Sequence, residues 1–254
     1  MKTTDALHQF TVVTLFPELI EAFAGVGIVR RACERGHVAV QTINPRSFTP
    51  TGTGRVDDPP YGGGPGMVMT VAPLRAAISS ARQHRAATVV YLTPQGRTID
   101  QSLLGELTAI NHLVLVAGRY EGIDERLIEQ DIDLELSLGD FVLSGGEIAA
   151  MAVIDGIIRL LPGSLGSDLS AQLDSFTGGL LEHAQYTRPE VIDGQSVPPV
   201  LLSGNHADIH AWRQDQRVRR TLAKRPDLIA TAKLTNAERK LISEIASKTV
   251  DLGE

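Results

Sequence analysis

Three apolar, β-branched runs constrain this chain most: FTVVTL (Phe10–Leu15), TVVYL (Thr88–Leu92) and HLVLVAG (His112–Gly118). None alternates polar with apolar residues, so each predicts a strand covered on both faces. Helical segments fill the intervals. PELIEAFA and GIVRRACERG, with Gly36 as a natural stop, lead to another strand, HVAVQTI. VAPLRAAISSARQH, with Thr70 as a candidate cap, precedes TVVYL, and TIDQSLLGELTAI contains the helix before HLVLVAG. DERLIEQ then leads to a fifth strand, IDLELSLG, and GGEIAAMAVIDGIIRLL is a long apolar helix ended by Pro162. Strands separated by helices imply an α/β domain: a parallel sheet with helices on both faces.

The pattern changes after Leu161. PGSLGSDLSAQ is rich in Gly and Ser and reads as a linker. Beyond it, β-branched runs are scarce. NHADIHAWRQDQRVRRTLAKR reads as one helix stopped near Pro226, and TNAERKLISEIASK begins with a capping box, Thr235 and Glu238. The expected organisation is an α/β domain over 1–162, a linker over 163–175 and a small, mostly helical domain over 176–254. A chain of 254 residues, 43% hydrophobic and 21% charged, can bury cores of that size. The longest apolar stretch is interrupted by Asp155, and the N-terminus lacks a basic-then-apolar export pattern. The single cysteine, Cys33, excludes an internal disulfide and an all-Cys zinc site. A cytoplasmic protein without membrane contact is expected.

Familiar site motifs fail one by one. There is no G-x-x-x-x-G-K-[ST] loop, no complete dinucleotide fingerprint and no G-x-S-x-G elbow. VDDPPYGGGPGMVM (Val56–Met69) is glycine-rich, but it lacks a lysine and its two aspartates repel phosphate. His206 and His210 are four apart, without the glutamate of a zinc helix, so no metal site is read. What remains is three glycine-containing turns, each just after a strand: YLTPQG (Tyr91–Gly96), AGRYEG (Ala117–Gly122) and SLGDFVLSGGE (Ser137–Glu147). In a parallel sheet all three lie at the carboxyl edge, where ligands bind. Their backbone amides suit an adenosine-sized ligand in one shared pocket.

Net charge is −6, which argues mildly against a nucleic-acid partner. One segment opposes that trend. Between Asn205 and Ala230 lie Arg213, Arg217, Arg219, Arg220, Lys224 and Arg225, against Asp208, Asp215 and Asp227. Taken alone, it reads as a solvated helix face.

FPELI, VDDPPYGGGPGMVM, YLTPQGR, GRYEGIDER, SLGDFVLSGGE, LDSFTGGLLEHAQYTRPE, VPPVLLSGNHADIHAWR and KRPDL occur in this order. Together they resemble the bacterial tRNA (guanine-N1-)-methyltransferases from about Phe10 to about Leu228. The resemblance implies a SPOUT fold, in which the C-terminal part of the sheet is threaded through a trefoil knot, a topology general rules make rare. It implies that the three turns bind S-adenosylmethionine. The first contributes Tyr91, Leu92, Pro94 and Gln95, and the second Gly118, Tyr120 and Glu121. The third contributes Ser137, Leu138, Gly139, Leu143, Gly145 and Gly146.

The implied substrate is the guanine immediately 3′ of the tRNA anticodon, methylated at N1. That nitrogen carries a proton at neutral pH, so the reaction needs a base, and a cation for charge developing on O6. The resemblance assigns these roles to Asp174 and Arg159, and an arginine near the base would keep it ionised. It further implies a homodimer with a site shared between subunits, the linker ordering over donor bound by the partner. The apolar helix Glu147–Leu161 and an amphipathic helix Glu18–Arg35 are candidates for dimer packing or for core. The basic helix becomes a tRNA contact, with Arg213, Arg217 and Arg220 on phosphates. Asp57 and Asp58 either accept hydrogen bonds from the guanine or cap local amides. Phe141 and Ala149 depart from the family's usual tyrosine and proline. Magnesium dependence is implied too, without a recognisable site. The alternatives are another knotted RNA methyltransferase, acting on a ribose 2′-OH or a ribosomal base, and a non-catalytic RNA-binding sensor of S-adenosylmethionine.

Overall fold

The computed structural model describes residues 8–49, 52–82, 86–164 and 174–250, with the backbone alone for 248–250. Most of the expected linker, 165–173, therefore lies outside the described residues. The chain divides into two compact units, Met1–Gly166 and Ser167–Glu254.

The first unit begins with strand β1 (His8–Val13), helices α1 (Pro17–Ala24) and α2 (Gly27–Glu34) and strand β2 (Val38–Ile43). The stretch Glu18–Arg35 is thus two helices, parted at Gly25 and Val26. A short hairpin follows, β3 (Asp57–Asp58) and β4 (Val68–Met69), then α3 (Val71–Arg82), β5 (Thr88–Thr98) and α4 (Gln101–Leu107). The unit closes with β6 (His112–Ala117), α5 (Glu125–Asp131), β7 (Leu134–Ser137) and α6 (Glu147–Leu160). Asp100 and Asp124 set where α4 and α5 start, each accepting a backbone amide proton at the helix N-terminus. Thr70 turns its hydroxyl to the Val56 carbonyl.

Five strands form one sheet in the order β2-β1-β6-β5-β7, and every pairing is parallel. The unbroken apolar run in β6 has a direct physical cause. Leu113, Leu115 and Ala117 point into a core built with α1, α2, α4 and α6, while Val114 and Val116 point into a second core under α3 and α5. All six β6 residues are buried. Each large side chain so covered contributes roughly 1.5–3 kcal/mol. Helix α6 is mainly a core element, burying Ala149, Ala150, Val153, Ile154, Ile157 and Ile158, although Ile148 stays half exposed.

One strand departs from expectation. Tyr91–Gly96 is not a turn after β5; the strand runs on to Thr98. The chain leaves β7 at Leu92 and returns to it at Arg97, and Leu136 is the partner of both. Pro94 donates no amide proton, and Gly96 lies where a Cβ would collide with the Glu135–Leu136 backbone. Those two residues are what lets residues 93–96 bulge across β7.

The second unit holds a two-stranded ribbon, β8 (Val191–Ile192) and β9 (Gln195–Ser196), and helices α7 (Pro199–Leu202), α8 (His206–Lys224) and α9 (Asn236–Val250). Asn205 caps α8, and the Thr235–Glu238 capping box forms, with Glu238 Oε2 accepting the Thr235 amide at 2.7 Å. Its buried residues are few: Leu180, His183, Val218 and Thr221 among those described. No helix among the described residues is long and apolar enough to cross a membrane.

Candidate functional site

The carboxyl ends of β5, β6 and β7 converge on one cavity of about 410 Å³. The β5 bulge supplies Tyr91, Leu92, Pro94 and Gln95; the turn after β6 supplies Gly118, Tyr120 and Glu121. The segment after β7 supplies Ser137, Leu138, Leu143, Gly145 and Gly146. Gly139 does not line the cavity; it lies beneath the Phe141 ring.

Close backbone approach explains two of the glycines. A Cβ at Gly118 would stand 2.9 Å from Tyr91 Cε2, and one at Gly146 would stand 2.8 Å from Ala117 Cα. The Gly146 amide donates to the Gly118 carbonyl at 3.0 Å, so the second and third turns are joined directly. Tyr120 adopts φ 60, a left-handed conformation costly for an aromatic residue, and projects half exposed at the cavity. Burial raises the Tyr91 hydroxyl above its ordinary pKa, with hydrogen bonds to Ile123 and Thr93 working against that shift. The phenol is therefore neutral at pH 7.

Charge on the lining is uneven. Among the described residues Glu121, Glu125 and Glu135 face a single cation, Arg119. Such a wall favours a ligand with positive groups and disfavours phosphates. Arg119 is itself engaged elsewhere. Its Nη2 stands 2.8 Å from Glu147 Oε2 in an ion pair, and its guanidinium lies 4.4 Å over the Phe16 ring. Glu147 is buried at the start of α6 and accepts from the Thr14 hydroxyl at 2.8 Å. Gly145 belongs to the same network, because a Cβ there would collide with the Arg119 side chain. Sequence reasoning misses Thr14, Arg119 and Glu147. Only the motifs GRYEG and SGGE mark two of them, and nothing local links them.

The hairpin β3–β4 docks on the lip of this cavity. Met67 accepts from the Glu121 amide, and Gly122 accepts from the Met69 amide, both at 2.9 Å. Gly66 packs directly on the Glu121 side chain. Asp57 is half buried, whereas exposed Asp58 pairs with Arg55 at 2.7 Å. Neither aspartate side chain caps a local amide among the described residues.

The two candidate catalytic residues belong to different units. Arg159 is exposed in the last turn of α6. Asp174 is half buried and precedes a tight turn closed by Phe176 N to Leu180 O at 2.8 Å. On α8, Arg219 is neutralised by Asp215 at 2.7 Å, and beyond the helix Arg225 by Asp227 at 2.6 Å. Arg213, Arg217 and Arg220 form no ion pair among the described residues. Their spacing puts all three on one helix face.

A parallel α/β sheet whose carboxyl-edge turns close on one carboxylate-rich cavity is a small-molecule-binding domain, here joined to a helical unit with an unneutralised cationic stripe. Sequence comparison makes the class specific. The chain belongs to the tRNA (Guanine-1)-methyltransferase TrmD family, which it matches over residues 8–231. It is 52% identical over 245 residues to the tRNA (guanine-N(1)-)-methyltransferase of Nitrosospira multiformis, covering 93% of this chain and 96% of that one. Proteins of the same name from Shewanella woodyi (50%, 95% and 98% of the two chains) and Escherichia coli (49%, 93% and 94%) are similarly close. As a member of this family, the chain is a methyltransferase.

Proposed function

We propose that this enzyme transfers a methyl group from S-adenosylmethionine to N1 of the guanine immediately 3′ of the tRNA anticodon. The carrying observation is the cavity itself: the β5 bulge and the turns after β6 and β7 enclose a space of adenosine size whose wall is acidic. S-adenosylmethionine bears a sulfonium and an ammonium group, and it supplies the electrophilic methyl. Leu92, Gly118, Leu138 and Leu143 of the lining are assigned to its adenine and ribose, and Glu121 to a positive group. The SPOUT reading rests on the family that the chain matches over residues 8–231.

At the acceptor, Asp174 takes the N1 proton as the N1–methyl bond forms, and Arg159 holds the charge that develops on O6. General-base assistance of this kind contributes about 10²–10⁴-fold. Asp57 is half buried and has no paired cation among the described residues. It accepts from the guanine's N–H edge in preference to Asp58, which Arg55 engages. The cationic stripe of α8 meets the tRNA backbone, and the target base leaves its stack to reach the donor. A homodimer that completes each site with residues of both subunits is part of this reading. Among the described residues no cluster of three or more His, Cys, Asp or Glu could hold a metal.

Calorimetric titration with S-adenosylmethionine, beside a methyl-transfer assay on unmodified tRNA, tests this reading. Asp174→Ala is expected to keep donor binding and lose transfer. Gly146→Val, whose side chain would collide with the Ala117–Gly118 backbone and part the second and third turns, is expected to lose both. Full transfer by Asp174→Ala would remove it as the base.

A further inference from the structure

A second cavity lies wholly within the helical unit. Its volume is about 440 Å³, and its wall includes His183, Tyr186, Arg188, Glu190, Ile209 and Arg213. Nothing in the methyl-transfer chemistry uses it. Its lining joins half-buried Val197, Leu201 and Ile209 to exposed Arg188, Glu190 and Arg213. That combination, an apolar slot with a few convergent polar groups, is what a planar ligand with an anionic attachment needs.

Tyr186 is the planar element. Its ring is half exposed, yet Trp212 buttresses it from α8 at a centroid distance of 6.2 Å and a tilt of 56°. A supported aromatic ring with an open face is a stacking platform. The anion-binding element is the stripe of Arg213, Arg217 and Arg220. Arg213 reaches the cavity rim. Arg217 is half buried, its Nε has no hydrogen-bond partner, and its Nη1 donates only to the neutral Gln214 Oε1 at 3.1 Å. Leaving three guanidiniums unneutralised on one face is unfavourable by itself, whereas Arg219 and Arg225 a few residues away each have a carboxylate.

We infer that this cavity holds one unstacked nucleotide of the RNA substrate, distinct from the methylated guanine, with its base on Tyr186 and its phosphate on the Arg213 end of the stripe. The inference rests on the proposed tRNA methyltransferase activity. His183, buried in the cavity wall, suits the base edge. Burial holds its imidazole below the ordinary range, and Arg213, Arg217 and Arg220 push the same way against Glu182. The ring is then neutral at pH 7 and can donate from one nitrogen while accepting at the other. Glu190 on the rim can accept from an exocyclic amino group but repels phosphate, which orients the phosphate toward Arg213.

The test uses the full-length protein and an unmodified tRNA transcript, with binding read by fluorescence anisotropy. Tyr186→Ala is expected to weaken tRNA binding about ten-fold or more, within the range for loss of one stacked base. Tyr186→Phe should bind as the wild type does, because the stacking face survives. Affinity for S-adenosylmethionine should not change in either variant. A fully paired RNA duplex should be insensitive to Tyr186→Ala, since it offers no unstacked base. Tight wild-type binding with no loss in Tyr186→Ala overturns the nucleotide site alone; failure of the wild type to bind or methylate tRNA overturns the activity on which it rests. Should Tyr186→Ala not fold, photocrosslinking of 4-thiouridine-substituted tRNA to the wild type decides. Crosslinked peptide from 183–188 supports the site, and crosslinks confined to other segments contradict it.

Discussion

The two units handle the arginines beside their cavities in opposite ways. In the first, Arg119 is paired with buried Glu147 and stacked on Phe16, so its charge serves the wall of the cavity rather than a ligand. In the second, Arg213, Arg217 and Arg220 stand without carboxylates among the described residues, while their neighbours Arg219 and Arg225 are neutralised. A pocket for a small, positively charged donor needs rigid turns and no stray cation. A surface for a polyanion needs cations left available. The contrast teaches that pairing state, more than the number of arginines, separates an architectural charge from a binding one.

The sharpest break in that comparison is between chemistry and binding. Arg159→Ala is expected to lower kcat by about 10²–10³, as loss of one charge-stabilising donor does, while donor affinity measured by calorimetry holds. A change in donor affinity with little change in kcat would move Arg159 from the chemistry to the pocket.

The architectural arginine gives the next effect. Glu147→Ala leaves Arg119 as an uncompensated, largely buried charge and is expected to cost about 3–5 kcal/mol in chemical denaturation. Glu147→Gln keeps the side chain's shape and a hydrogen-bond partner for Thr14, and should cost less. Equal losses in the two variants would mean that shape, and not charge pairing, joins the second and third turns.

In the second unit the expected effect is on salt dependence. Replacing Arg213, Arg217 and Arg220 together with alanine should lower the slope of log K for tRNA against log salt by about 0.7–0.9 for each phosphate that is no longer neutralised. Arg219→Ala, which removes an already neutralised charge, should change the slope far less. The smallest effect is expected at the hairpin. Asp57→Asn should reduce transfer more than Asp58→Asn, because Arg55 occupies the Asp58 carboxylate. The reverse order, read by initial rates, would assign guanine recognition to Asp58.

How much of this is legible in the sequence follows from the range of each interaction. The parallel sheet is readable from β6, because a strand buried on both faces is an almost continuous apolar run, here Leu113–Ala117 after His112. The three turns are readable because glycine and proline mark close backbone approach locally. Even so, residues 93–96 form a bulge across β7, since a partner far along the chain decides that register. Arg119, Glu147 and Thr14 are invisible for the same reason: Thr14 and Glu147 are 133 positions apart. The division of α8 is written in the spacing, with Asp215 four residues before Arg219, but net charge alone conceals it. Asp174 comes only from the family resemblance. An aspartate before a turn carries no local sign of basicity.

Mapping the methylated atom tests the central claim most directly. The enzyme is given S-adenosylmethionine and two tRNA transcripts, with guanine or adenine immediately 3′ of the anticodon, and the products are digested and read by mass spectrometry. The account predicts N1-methylguanosine at that single position in the first transcript and no methyl group there in the second. Equal transfer to both transcripts, or a methyl group on a ribose 2′-oxygen, would contradict it.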